Sequence, residues 1–215
     1  MIKIKNSKTK QKNKTCLFLL KNDIIIKKEE KKKMNEFIKS IFAGIMIGIA
    51  CLISIGAGGG YVGAILFSVG LMIIVLRGYN LYTGKVGYVT SVKQLPLIGM
   101  FILGNLVGIL LVSLCTNVST MDIIQAKLSN PLPLVFAKAV GCGFLMYLAV
   151  DVYKTKNTLL GVFGCVPGFI LAGFEHSIAD MFYIVRGGIF TTEVVVFLLV
   201  VIIGNAVGAW LHKLI

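Results

Sequence analysis

The chain has 215 residues, 57% of them hydrophobic and only 14% charged, with a mean hydropathy of +0.89. A soluble domain of this size carries about 25% charged residues, so this composition excludes an ordinary soluble fold and points to a polytopic membrane protein. The formal net charge of +13 is concentrated at one end, because residues 1–34 hold 12 of the 22 Lys and Arg against three acidic groups.

Residues 1–34 read as a basic, disordered extension, with Met34 as an alternative start. The apolar run at 16–20 is too short for a signal-peptide core. Residues 35–215 read as a channel domain with six spans, at 36–57, 60–91, 94–116, 132–152, 158–190 and 192–213. The second and fifth are too long and too interrupted for single straight helices. The second is broken near Arg77-Gly78-Tyr79-Asn80, and the fifth near Gly173-Phe174-Glu175-His176-Ser177. At membrane depth a broken helix is tolerated only where the freed backbone is buried in protein or lines a cavity.

The third span contains GNLVG (104–108) and the sixth GNAVG (204–208). Spans one to three and four to six therefore read as two copies of one unit in opposite topology, with a substrate site near the midplane. Gly104/Gly108 and Gly204/Gly208 have the GxxxG spacing of close helix packing, as do Gly44 and Gly48 in the first span. The five cysteines (16, 51, 115, 142, 165) form no CxxC pair and no Cys/His cluster, so they read as packing residues. The tail, Lys93, Lys154, Lys156 and Lys213 share one side if all six spans cross. Lys127 and Arg186 mark the other, which puts both termini in the cytoplasm.

His176 is one of two histidines, and it sits with Glu175 and Asp180 inside an apolar stretch. Ionisable groups there are costly and face a cavity or a substrate path. Histidine, with a reference pKa of about 6.5, is suited to exchanging a proton with a weak acid that crosses as the neutral molecule. From composition alone, Phe67, Leu71, Leu81 and Phe169 read as core and Lys127 as a loop lysine. Glu175 and Asp180 read as structural acceptors capping the half-helices.

FSVGLMIIVLRGYNLYTGK (67–85), GFEHSIADMF (173–182) and Gly204-Asn205 resemble the second-, fifth- and sixth-span motifs of the formate/nitrite transporter family, over about residues 37–213. The resemblance implies an all-α bundle of six helices with an aquaporin-like inverted repeat. It also implies a homopentamer in the cell membrane with a pore in each protomer. The implied cargo is a small monovalent anion of a weak acid (formate, nitrite or hydrosulfide) with a proton. No cofactor, metal or nucleic acid is implied, and no enzyme motif is present.

By resemblance, Phe67 and Leu71 are the apolar residues of the broken second helix, Leu81 and Thr83 lie in the loop between its halves, and Phe169 narrows the pore. His176 is the central histidine and Asn205 the polar residue near it. Lys127 is the vestibule lysine, with Lys138 as competitor. Asn80, Tyr82, Gly143 and Asp180 depart from the family pattern, Asp180 standing where Asn is usual. An aquaporin-like channel for neutral solutes is the alternative, although the paired Asn-Pro-Ala loops are absent. An obligatory proton–anion symporter would share His176.

Overall fold

The computed structural model describes residues 26–214, in a chain that divides into two compact units, Met1–Glu36 and Phe37–Ile215. The expectations that fall on residues 1–25, among them the disordered extension, Cys16 and the run at 16–20, lie outside the described residues. In the first unit, residues 26–35 are helical and exposed. All further description concerns the second.

Among the described residues the regular structure is helical, with no strand. In chain order the helices are α1 (Ile26–Gly56), α2 (Gly60–Arg77), α3 (Tyr82–Lys85), α4 (Leu95–Leu114) and α5 (Met121–Leu128). They continue with α6 (Leu132–Lys156), α7 (Leu160–Leu171), α8 (Ser177–Gly187) and α9 (Thr192–Leu211). Five of them (α1, α2, α4, α6 and α9) are long and apolar enough to cross a membrane. Helices α7 and α8 have 12 and 11 residues. At about 1.5 Å per residue, neither alone reaches across a hydrocarbon core of about 30 Å.

The two interruptions have the same local cause. Helix α2 ends on Gly78 (φ 64°), where Tyr79 N–H donates to the Ile74 carbonyl at 2.9 Å. Helix α7 ends near Gly173 (φ 65°), where Phe174 N–H donates to the Phe169 carbonyl at 3.0 Å. A left-handed residue followed by this five-residue back-bond is the Schellman stop, and glycine adopts that φ without a Cβ clash. Gly78-Tyr79-Asn80-Leu81 and Gly173-Phe174-Glu175-His176 thus align residue for residue. In each, the fourth residue is extended and starts a new short helix.

Each break is pinned by one asparagine. The Asn105 amide donates to the Ser40 carbonyl (2.8 Å) and the Asn80 carbonyl (2.9 Å), while its Oδ1 accepts from Tyr82 N–H (2.9 Å). Asn205 repeats the pattern, donating to the Ala139 (2.9 Å) and Glu175 (2.8 Å) carbonyls and accepting from Ser177 N–H (2.9 Å). Both side chains are fully buried. They satisfy backbone groups that a break would otherwise leave orphaned in an apolar interior.

The glycines beside these asparagines permit the approach. A Cβ on Gly108 would lie 2.1 Å from the Ile41 carbonyl oxygen, and one on Gly208 would lie 2.0 Å from that of Val140. Backbones this close exclude any side chain at those positions. Helix α5 lies between the third and fourth spans expected from the sequence, within 117–131. It buries Ile124 completely, and its last turn carries Lys127.

Candidate functional site

His176 is the N-cap residue of α8, and its Nδ1 accepts from Ala179 N–H at 3.1 Å. A ring nitrogen that accepts carries no proton, so the neutral imidazole holds its proton on Nε2. Nε2 then donates to Thr83 Oγ1, 3.0 Å away on α3. The two short helices that follow the breaks therefore meet through one hydrogen bond between fully buried side chains.

Phe169 stacks on the imidazole with ring centroids 5.6 Å apart and planes 17° apart. Phe67 meets Phe169 edge-on at 6.2 Å. Together with Lys127, Asp180 and Tyr183 these residues line a cavity of about 190 Å³. Four residues further along α2, Leu71 lines a second, smaller cavity of about 70 Å³ with Leu81, Lys85, Tyr153 and Lys154. Thus Phe67 and Phe169 flank one cavity, and Leu71 and Leu81 flank the other. Both leucines are 1% exposed and both phenylalanines 3%.

Lys127 reaches into the first cavity. Its ammonium bonds the Glu175 carboxylate and stands 3.0 Å from Asp180 Oδ1, with the Tyr183 ring centroid 5.6 Å away. The contact to Asp180 is an ion pair off the line of a hydrogen bond, and Asp180 Oδ2 has no partner among the described residues. Side-chain exposures are 18% for Lys127, 2% for Glu175 and 1% for Asp180. Burial alone would lower the Lys127 pKa, but the Asp180 and Glu175 carboxylates outweigh it and hold the ammonium well above the usual lysine value.

Several sequence expectations are changed by this geometry. Asn205 was expected as a polar residue supporting His176 in the pore. Its two amide hydrogens and its oxygen are all committed to backbone groups, so it positions the break and has no donor left for a ligand. Capping of α8 was expected of Glu175 or Asp180 and is performed by His176. Lys127 lies at the cavity and Lys138 does not. Of the described cysteines, Cys51 and Cys142 are buried core residues, while Cys115 is exposed. The sequence singled out Lys154 only as a marker of orientation, and Lys85 and Tyr153, which share a cavity with it, not at all. Their signal was the basic side predicted for the loops, which does not reveal that they share one cavity.

Against known proteins, the family model described as formate/nitrite transporter matches residues 22–214. The chain is 30% identical over 176 residues to an uncharacterized transporter, YrhG, of Bacillus subtilis, covering 68% of this chain and 66% of the relative. It is 28% identical over 138 residues to the nitrite transporter NirC of Salmonella typhimurium, covering 54% of this chain and 51% of that one. The chain thus spans about half to two thirds of the length of these relatives. Among solved structures, a pentameric formate channel with formate bound superposes with a TM-score of 0.73 at 23% identity, covering 86% of this chain and 95% of that chain.

Proposed function

Because the chain belongs to the formate/nitrite transporter family, we propose that it is a membrane channel for small monovalent anions of weak acids: formate, nitrite or hydrosulfide. It acts as a homopentamer in the cell membrane, with both termini cytoplasmic and Lys127 facing outward. Residues 35–215 form the channel, and α7 and α8 together make one span. Similarity to a nitrite transporter and to a pentameric formate channel supports this reading.

The observation that carries it is the hydrogen bond between His176 Nε2 and Thr83, enclosed by apolar side chains on both flanks. A bare anion crossing between Phe67 and Phe169 loses its hydration at a cost of many kcal/mol. A species that has gained a proton needs only hydrogen bonding, and the neutral Nε2–H and the Thr83 hydroxyl offer it among those apolar side chains. Lys127 supplies the positive charge of the cavity at the mouth, offsetting the Glu175 carboxylate that it bonds.

His176 itself is poorly placed to give or take the proton. Protonating Nδ1 would break the bond from Ala179 N–H and uncap α8, at a cost of about 0.5–2 kcal/mol. The histidine acts as a neutral donor, and the proton comes from elsewhere.

Purified protein in liposomes tests this. Formate, nitrite, hydrosulfide and glycerol uptake are compared, with His176→Asn as the variant. Asparagine keeps the N-cap but lacks the Nε2–H. Anion uptake is expected to fall about 10- to 100-fold in the variant, as loss of one buried donor implies. Glycerol uptake without anion uptake would overturn the proposal.

A further inference from the structure

We propose that Asp180 is a proton-binding site that controls anion entry: the Lys127 cavity admits an anion when this carboxyl has taken up a proton and repels it otherwise. The inference rests on the anion-channel reading above.

One ammonium, Lys127, faces two carboxylates, Glu175 and Asp180, and the neutral His176 completes the group. With both carboxylates ionised, the buried cluster carries one uncompensated negative charge. Burying an unpaired charge costs several kcal/mol in real proteins. The two acids are not equivalent. Glu175 receives a hydrogen bond from the ammonium, whereas Asp180 has an ion-pair contact on one oxygen and no partner on the other. The orphaned Oδ2 is where a proton best satisfies both the charge and the hydrogen-bond deficit.

Among the described residues that line the cavity with Asp180, Lys127 is the one cation. Helix α5 presents Lys127, and the break presents Glu175 and His176. Tyr183 lies on the same helix, and the Cys51 and Cys142 thiols of α1 and α6 are within electrostatic reach of Asp180. Helix α9 presents Asn205, whose amide hydrogens are committed. Helix α3 presents Thr83, and α4 carries no ionisable side chain at all.

Asp180, Lys127 and His176 line the same 190 Å³ cavity. An anion arriving there meets a net charge of minus one while Asp180 is ionised, and of zero once it is protonated. At contact distances one elementary charge alters occupancy by large factors even at an effective dielectric near 20. Entry therefore follows the Asp180 proton, independently of the proton equilibrium of the anion itself.

The test is initial formate uptake into liposomes from pH 5 to 8 by the wild-type protein, Asp180→Asn and Asp180→Glu. Dividing the Asn variant's rate by the wild-type rate removes the acid–base behaviour of formate. That ratio is expected to rise about tenfold or more from pH 5 to pH 8. Asp180→Glu keeps the wild-type course with pH, whatever its absolute rate. A ratio that stays flat across pH, high or low, overturns the proposal, because a merely structural role would scale every rate alike. Should Asp180→Asn fail to assemble, Asp180→Ser replaces it. The infrared carbonyl band of a protonated carboxyl, read on the wild-type protein at pH 5, is an independent measurement, and its absence also overturns the proposal. Wild-type protein that moves no anion at any pH would instead overturn the channel reading.

Discussion

Asn205 shows how a residue type can be read correctly and its partners missed. A buried asparagine near an intramembrane histidine suits an anion site, yet three backbone groups use its whole amide. Asn205→Ala would leave Ser177 N–H and the Ala139 and Glu175 carbonyls without that partner. At about 1–3 kcal/mol for each buried group left unsatisfied, thermal unfolding of the purified assembly should shift down by about 5 °C or more. The order of preference among formate, nitrite and hydrosulfide should not change. A changed order with an unchanged melting temperature would restore the ligand role. His176 was legible as a singular residue because an ionisable group in an apolar stretch stands out by composition. Its tautomer was not, because that depends on which backbone N–H points at Nδ1.

At the scale of elements, the paired breaks and the GN glycines were legible because a stop needs glycine and close packing needs small residues. The residue-for-residue match of the breaks was also present in the sequence, as Gly-aromatic-x-x at 78–81 and 173–176. Helix α5 escaped because eight residues carry too little periodicity to separate a short amphipathic helix from a loop. Packing makes a sharp contrast among glycines. A Cβ at Gly208 would lie 2.0 Å from the Val140 carbonyl oxygen, whereas one at Gly164 meets nothing within 4 Å. Gly208→Ala must push α9 off α6, at a cost above the usual 1–3 kcal/mol of overpacking, because the obstacle is backbone. Gly164→Ala should be neutral or stabilising by about 0.5–1 kcal/mol, since alanine is the better helix former. Monodisperse assembly in detergent, followed by size-exclusion profile and melting temperature, separates the two. Equal behaviour would mean that α6 and α9 are less closely packed than described.

For the whole molecule the outer surface sets the question. Between 39% and 44% of each candidate span is buried inside the chain. Leu103, Leu111, Leu199 and Ile203 are 47–60% exposed. Lipid and neighbouring copies must cover that surface, and the proposed homopentamer divides it between the two. A ring of five copies leaves two routes for an ion: through each protomer or along the central axis. The His176–Thr83 bond and both cavities lie within one protomer, and the proposed function takes the first route. Mixed assemblies distinguish the two. If wild-type and His176→Asn chains are combined in known proportions, independent pores give anion flux that falls linearly with the wild-type fraction. A shared axial pore gives flux that falls as a steep power of that fraction, because one altered chain then affects every ion. The linear outcome is expected. A steep curve would move the conducting path to the symmetry axis and reduce the His176–Thr83 pair to a structural contact.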